Sequence, residues 1–297
     1  MLMILLMTLT PFQADKVEIY TEDNERVVHL IGNVVIEGAE TRITCAEAKI
    51  SEVHGWVKLF QEVKLHDRNG VVSAGSAIYY FNEDRGYLRD SVMIVTPDEE
   101  ISSDSLYYDG VHDSVEMYGN VVIDDLRNNM SVAGDRGWYN LARDEGLLFG
   151  KPKLQIIRQD KTPIVVYANT FELLTRQDLF YGYDSVQAII DSITVLCDTF
   201  SYNLERESGR MVRPRIREKN NELTGTHGQF RLRNKEIDAM SVEHGQSSYY
   251  TKEGSRNIVE GDTIIIIFQE GKATTIRVEG NPKGFLSLKR SEESAGD

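Results

Sequence analysis

The residues able to do chemistry are few, and their spacing does not suit it. Six histidines, His29, His54, His66, His112, His227 and His244, fall in no HxxxH or HExxH pattern, and the two cysteines, Cys45 and Cys197, form no CxxC. The ligand spacings of a zinc site are therefore missing. No GxxxxGK(S/T), GxGxxG or GxSxG occurs, which removes the phosphate-cradling loops and the nucleophile elbow. Aspartate does recur at one fixed offset, at Asp15, Asp104, Asp135, Asp198 and Asp262. Such a carboxylate row suits calcium binding or acid–base work. Ala, Gly and Thr replace it in other copies of the same phrase, so it reads instead as support for an unusual backbone. Trp56 and Trp138 fit interior packing and ligand contact equally. The sequence predicts no enzyme, no metal and no cofactor.

The offset belongs to a repeat. A small residue, usually followed by Asp, Asn or Gly, and then an apolar–x–aromatic or aliphatic pair returns at Ala14, Cys45, Ala74, Ser103, Gly134, Ala168, Cys197, Gly225 and Gly261, in steps of 28 to 36 residues. No unit that short buries its own apolar face, so the period predicts stacked units around one continuous interior. Within each phrase the inward positions run −2, 0, then +3 and +5. Alternation with one change of parity describes a β-strand carrying a bulge. A polar turn follows, then a second alternating strand with apolar residues near +14, +18 and +20. Gly-Asn at Gly32-Asn33, Gly119-Asn120 and Gly280-Asn281 is read as introducing that second strand. The fold class is thus all-β, about nine stacked strand–turn–strand repeats. Thr170–Asp191 fits least well, and Phe171–Leu174 has the look of an opening helical turn. Longer steps before Ala168 and Gly261 imply loops.

A net charge of −14 over 297 residues weakens a nucleic-acid reading, which needs clustered Lys and Arg. The column Tyr79, Tyr108, Tyr139, Tyr202 and Phe230 is better read as a core ladder than as a base-stacking platform. Cys45 and Cys197 share one repeat position five units apart, too far for a disulfide at about 4.8 Å per strand. Residues 1–14 form an uncharged apolar run too short to span a bilayer. That run is similar to the apolar core of an export signal, although no basic residue precedes it and Phe12 stands where a small residue would favour cleavage after Ala14. An uncleaved anchor is the alternative. Residues 15–290 are expected to form a single repeat domain, and 291–297 a frayed tail.

Three phrases carry a resemblance: Gly32–Gly38 (GNVVIEG), Asp104–Tyr108 (DSLYY) with Gly119–Ile123 (GNVVI), and Gly261–Thr263 with Val278–Pro282 (VEGNP). They resemble the OstA family of lipopolysaccharide-transport bridge proteins, LptA-like, LptC-like and LptD N-terminal-domain-like. The resemblance implies an elongated β-jellyroll in the periplasm that shields the acyl chains of lipid A in an apolar groove. It also implies end-to-end strand pairing with other jellyrolls of that type or with further copies of the chain. Groove residues expected on this basis are Val34, Ile36, Val63, Leu65, Val92, Ile94, Leu106, Tyr108, Val121, Ile123, Val132 and Leu154. Two other readings stand beside it: a structural or adhesive β-solenoid with a closed core, and a carbohydrate-active β-helix enzyme.

Overall fold

The computed structural model describes residues 11–22, 25–38, 40–159, 161–250, 255–269 and 271–287. Residues 1–10 of the stretch read as an export segment and the whole expected tail lie outside them. The chain divides into two compact units, Met1–Leu154 with Glu172–Arg176, and Gln155–Phe171 with Gln177–Asp297. The first contains β1 (Phe12–Gln13), β2 (Lys16–Glu22), β3 (Glu25–Glu37), β4 (Arg42–Ser51), β5 (Trp56–Asp67), β6 (Gly70–Tyr80), β7 (Arg85–Val95), β8 (Glu99–Asp109), β9 (Ser114–Asp125), β10 (Met130–Asn140) and β11 (Glu145–Phe149). At the boundary run β12 (Lys153–Ile156), β13 (Ile164–Tyr167) and β14 (Thr170–Leu174), followed by a short 3-10 turn at Thr175–Gln177. The second unit continues with β15 (Leu179–Ile190), β16 (Ile193–Asn203), β17 (Ser208–Val212), β18 (Arg215–Glu218), β19 (Asn221–Thr224), β20 (His227–Arg233), β21 (Glu236–Tyr250), β22 (Arg256–Gln269), β23 (Lys272–Glu279) and β24 (Lys283–Phe285). Strands next to one another in sequence pair antiparallel, as in β2–β3, β3–β4, β15–β16 and β21–β22. The all-β expectation holds.

Five long hairpins, β3–β4, β5–β6, β7–β8, β9–β10 and β15–β16, carry the same defect. Between Phe60↔Ser76 and Val63↔Ala74, one residue of β6, Gly75, lies opposite two of β5, Gln61 and Glu62. The same one-against-two count recurs with Ala46 opposite Gly32-Asn33, Asp104 opposite Asp90-Ser91, Asp135 opposite Gly119-Asn120 and Asp198 opposite Asp184-Ser185. These two-residue insertions are left-handed throughout: φ is 76° and 47° at Gly32 and Asn33, 61° and 53° at Gln61 and Glu62, and 72° and 46° at Gly119 and Asn120. Two left-handed residues in succession turn the strand sharply. Stacking these turns in register folds the sheet along one line within each unit, leaving a wall on either side.

Packing at the corner explains the small residue that marks each repeat. Cys45 pairs with Val34, Ala74 with Val63, Ser103 with Val92, Gly134 with Val121 and Cys197 with Val186. Those five valines are 0–2% exposed. A larger partner has nowhere to go: a Cβ added at Gly225 would meet Val242 Cγ1 at 2.2 Å, and one added at Gly261 would meet Val278 Cγ1 at 2.4 Å. The bulge aspartates hold the outside of the corner. Asn33 Nδ2 donates to Asp15 at 2.9 Å, Asn120 Nδ2 to both Asp104 oxygens at 3.1 and 3.2 Å, and Asn281 Nδ2 to Asp262 at 3.1 Å. Asp198 serves the same place by pairing with Arg213. The aspartate row is thus a set of corner clamps.

Two expectations are corrected. Gly32-Asn33 and Gly119-Asn120 do not open a strand; they bend β3 and β9 in the middle, because the strand resumes its pairing on both sides. Phe171–Leu174 is extended, not helical, and the turn comes after it at Thr175–Gln177. Phe171 is fully buried against Phe180, ring centroids 4.6 Å apart, so burial overrides a local helical preference. The loop expected before Ala168 includes 157–159 and 161–163, between β12 and β13, and much of the one expected before Gly261 falls at 251–254, outside the described residues.

The corner yields a direct test. A Cβ at Gly119 would lie 2.1 Å from Asp104 Oδ2 on a backbone already at φ +72°. Gly119→Ala should cost about 2 kcal/mol or more in urea unfolding, from left-handed strain plus the clash. Adding Asp104→Ala should return only the clash part. An unchanged midpoint for Gly119→Ala would contradict this account of the corner.

Candidate functional site

Alternation places two apolar walls on the inner side of the first unit. On one side of the corner a single row crosses the strands: Ile36–Ile43–Leu65–Val72–Ile94–Ile101–Ile123–Val132, each residue paired with the next. On the other side Leu59, Ala77, Leu88, Leu106 and Met117 form a matching row. Beyond it stands a row that includes Tyr79 and Tyr108, with Gly86 between them. Gly86 makes the aromatic column possible, since a Cβ there would come within 3.2 Å of the Tyr79 ring. Tyr79 donates to Asp84 at 2.6 Å and Tyr139 to Asp144 at 3.2 Å. Burial, with Asp84 alongside Tyr79, pushes these phenols above their ordinary range. They act as hydrogen-bond donors at the rim of the wall.

The twelve residues expected to line a groove all fall in this unit. Val34, Val63, Val92 and Val121 are the corner valines and spend their surface on the small residue opposite. Ile36, Leu65, Ile94, Ile123 and Val132 share the first wall, Leu106 and Tyr108 the second, and Leu154 is buried in β12. Val72, Ile94, Ile101 and Ile123, in the middle of the first wall, are partly exposed, whereas Ile36 and Val132 nearer its ends are buried. The interior row is therefore open to solvent along its centre. Trp56 and Trp138 stand on the opposite face from Val57 and Gly137 and are partly exposed, which removes the reading of them as interior filler.

The second unit holds a cavity that the sequence did not single out. Ile156, Ile164, Val166, Ala188, Ile190 and Val195 form one side, and Phe200, Tyr202, Met211, Phe230, Leu232 and Met240 the other. It is a narrow, partly open cleft, and no polar atom is exposed to it. Phe200, Tyr202 and Phe230 stack with centroids 5.4 to 6.5 Å apart. Most of these residues occupy the inward positions of the repeat. The Gly-Asn-Val phrase drew attention to the first repeats, and nothing in a linear pattern distinguishes an inward residue at a cavity from one packed solid.

Next to that cavity, one ion pair fixes the loop 157–163. Arg158, 4% exposed at its side chain, donates to Asp191 at 2.7 and 3.2 Å and to the Thr162 carbonyl. The guanidinium holds the Asp191 carboxyl below the usual carboxylate range. The two thiols are buried and free. Burial lifts Cys45 to about 11 and Cys197 to about 12, so neither is a nucleophile at neutral pH.

Because its folded pKa is lowered, Asp191 contributes stability above the ordinary carboxylate pKa and loses it as pH falls through the folded value. Asp191→Asn should destabilise the protein at pH 7 by about 2 kcal/mol, less than for a fully buried pair because the carboxylate is 40% exposed and screened. The gap to the parent should shrink toward zero below about pH 3. Thermal melts at pH 7 and pH 2.5 check this; an equal difference at both would show that the charge is not responsible.

Comparison with known proteins bears on the first unit. The family model described as OstA-like protein matches residues 9–151. Among solved structures the chain is similar to LptH from Pseudomonas aeruginosa, the LptA-homologous periplasmic component of the conserved lipopolysaccharide transport device. Identity is 16%, over 48% of this chain and 82% of that one, with a TM-score of 0.23. No curated protein matches the chain. The stretch matched by the family model coincides with the corner-bent strands β2–β11, so the chain is similar to OstA-like proteins over that first unit.

Proposed function

We propose that this chain is a non-enzymatic lipid conduit of the periplasm, which shields the acyl chains of lipopolysaccharide between its apolar walls and hands them toward the outer membrane. The observation that carries the reading is the partly exposed row Val72, Ile94, Ile101 and Ile123, an aliphatic stripe on the inner face of a folded sheet. Each acyl methylene shielded there would gain about 0.8 kcal/mol, so a few strands' length of wall suffices to hold a chain. The OstA-like match over the same strands supports the assignment. Export of the chain, by a cleaved signal or with the N-terminus kept as an anchor in the inner membrane, belongs to this proposal. Among the described residues no helix is long and apolar enough to cross a membrane.

Partners follow from the strand edges. β2 exposes Val17 and Ile19, and the C-terminal strands expose Ile276 and Phe285, with Leu286 exposed just beyond them. Unpaired edges with apolar side chains suit β-augmentation, by another jellyroll of the same type or by a further copy of the chain.

A photo-crosslinking side chain at Ile94 or Ile123, in protein purified from cells that make lipopolysaccharide, should capture a lipid visible by mass spectrometry. The same group at outward-facing Tyr87 should capture none. Ile94→Asp should remove most co-purified lipid while leaving the far-ultraviolet spectrum unchanged. Capture of protein alone from both inward positions would favour a closed structural β-solenoid and defeat the conduit.

A further inference from the structure

The outer face of the first unit carries a feature that an acyl-chain conduit does not use. Glu22, Glu25, Val27, Lys49, Trp56, Lys58 and Phe60 surround a depression of about 680 Å³, its open mouth included. Lys49 and Lys58 stand directly opposite each other across β4 and β5. Like charges at such a position destabilise a sheet, and neither lysine has an ion-pair partner among the described residues. That is unexpected in a chain with 47 acidic residues against 33 basic ones.

The buried charges beside them are already occupied. Glu25, 9% exposed, accepts from Ser51 Oγ at 2.6 Å and pairs with His54. His29, across from Lys49, is bonded to Glu47 at 2.7 Å. Glu22 is exposed at the lip. The Lys58 ammonium sits 4.2 Å from the centroid of the Trp56 ring, so its position is set by an aromatic face and its charge stays unneutralised. Trp56 adds a broad apolar ring and one indole N–H donor.

We propose that this depression is a binding site for an anionic saccharide, a sugar carrying phosphate or carboxylate. The two facing ammoniums would take the anionic group, and the ring of Trp56 would take the apolar face of the sugar. The site lies on the face opposite the aliphatic stripe and is independent of lipid capture there.

The test uses the full chain with Trp138→Phe, so that Trp56 is the sole indole reporter. Glucose 1-phosphate or glucuronate should change its fluorescence and bind at least tenfold more tightly than glucose or inorganic phosphate alone. Lys49→Gln and Lys58→Gln should each weaken binding at least tenfold without lowering the melting midpoint, since each removes a like-charge contact, whereas Lys64→Gln, outside the depression, should not weaken binding. Calorimetry on the unmodified chain repeats the measurement should Trp138→Phe fail to fold. Neutral vesicles with and without a phosphorylated glycolipid separate the sources: binding to the glycolipid vesicles places the sugar on a lipid, and binding of the soluble sugars alone places it on a free saccharide. Equal binding of glucose, indifference to both lysine changes, or no binding of any probe would overturn the site. Ile94→Asp should leave it intact, so this result and the fate of the lipid stripe are read apart.

Discussion

One constraint organises this molecule: a small residue must face a valine where each hairpin bends. Where Ala74 meets Val63 or Gly134 meets Val121, one residue opposes two, and the two are left-handed. A left-handed residue other than glycine costs about 1–2 kcal/mol, and Gln61-Glu62 and Asp90-Ser91 carry that cost without any glycine. Burial of the valine and the polar clamp outside it offset the strain. Because every copy stacks on the last, the bends line up, and the inner face of each unit becomes two apolar walls instead of one flat surface.

The two units put that device to different uses. In the first, the middle of the aliphatic row is left partly exposed, and tyrosine hydroxyls bonded to turn aspartates line the rim. In the second, larger side chains, with Phe200, Tyr202, Phe230 and Met240 among them, enclose a narrow cavity with no exposed polar atom. On the proposed function, an apolar interior with acidic surroundings would attract a lipid through its tails alone. Any recognition of an anionic head must come from cations placed with care, and the chain concentrates two of them on the outside, at Lys49 and Lys58.

Much of this was legible in the residues. The nine small-residue phrases located the bulged strands, the change of parity at Ala46, Gly75, Asp104 and Asp135 located the bulges, and the equivalence of Cys45 and Cys197 argued against a bridge. The reading of Gly-Asn as a strand opening was mistaken, because an αL-prone pair marks a turn equally well at the start of a strand and in its middle. Only the pairing of Val34 and Ile31 with β4 on either side of Gly32-Asn33 separates the two. Trp56 was undecided for a similar reason: alternation gives two faces without saying which is inside, until its neighbour Val57 is seen buried.

By itself, then, the sequence determined the repeat, the strand class and the sides on which apolar residues fall, since these depend on local backbone sterics and on a period of two. Tertiary structure decided which inward residues pack solid, which stay exposed on a wall and which border a cavity. It also set Lys49 against Lys58 and Arg158 against Asp191. Those outcomes depend on pairing register and on residues far apart in the chain, 33 positions for Arg158 and Asp191 and more across the cavity, and a one-dimensional pattern carries no record of how tightly two facing walls meet.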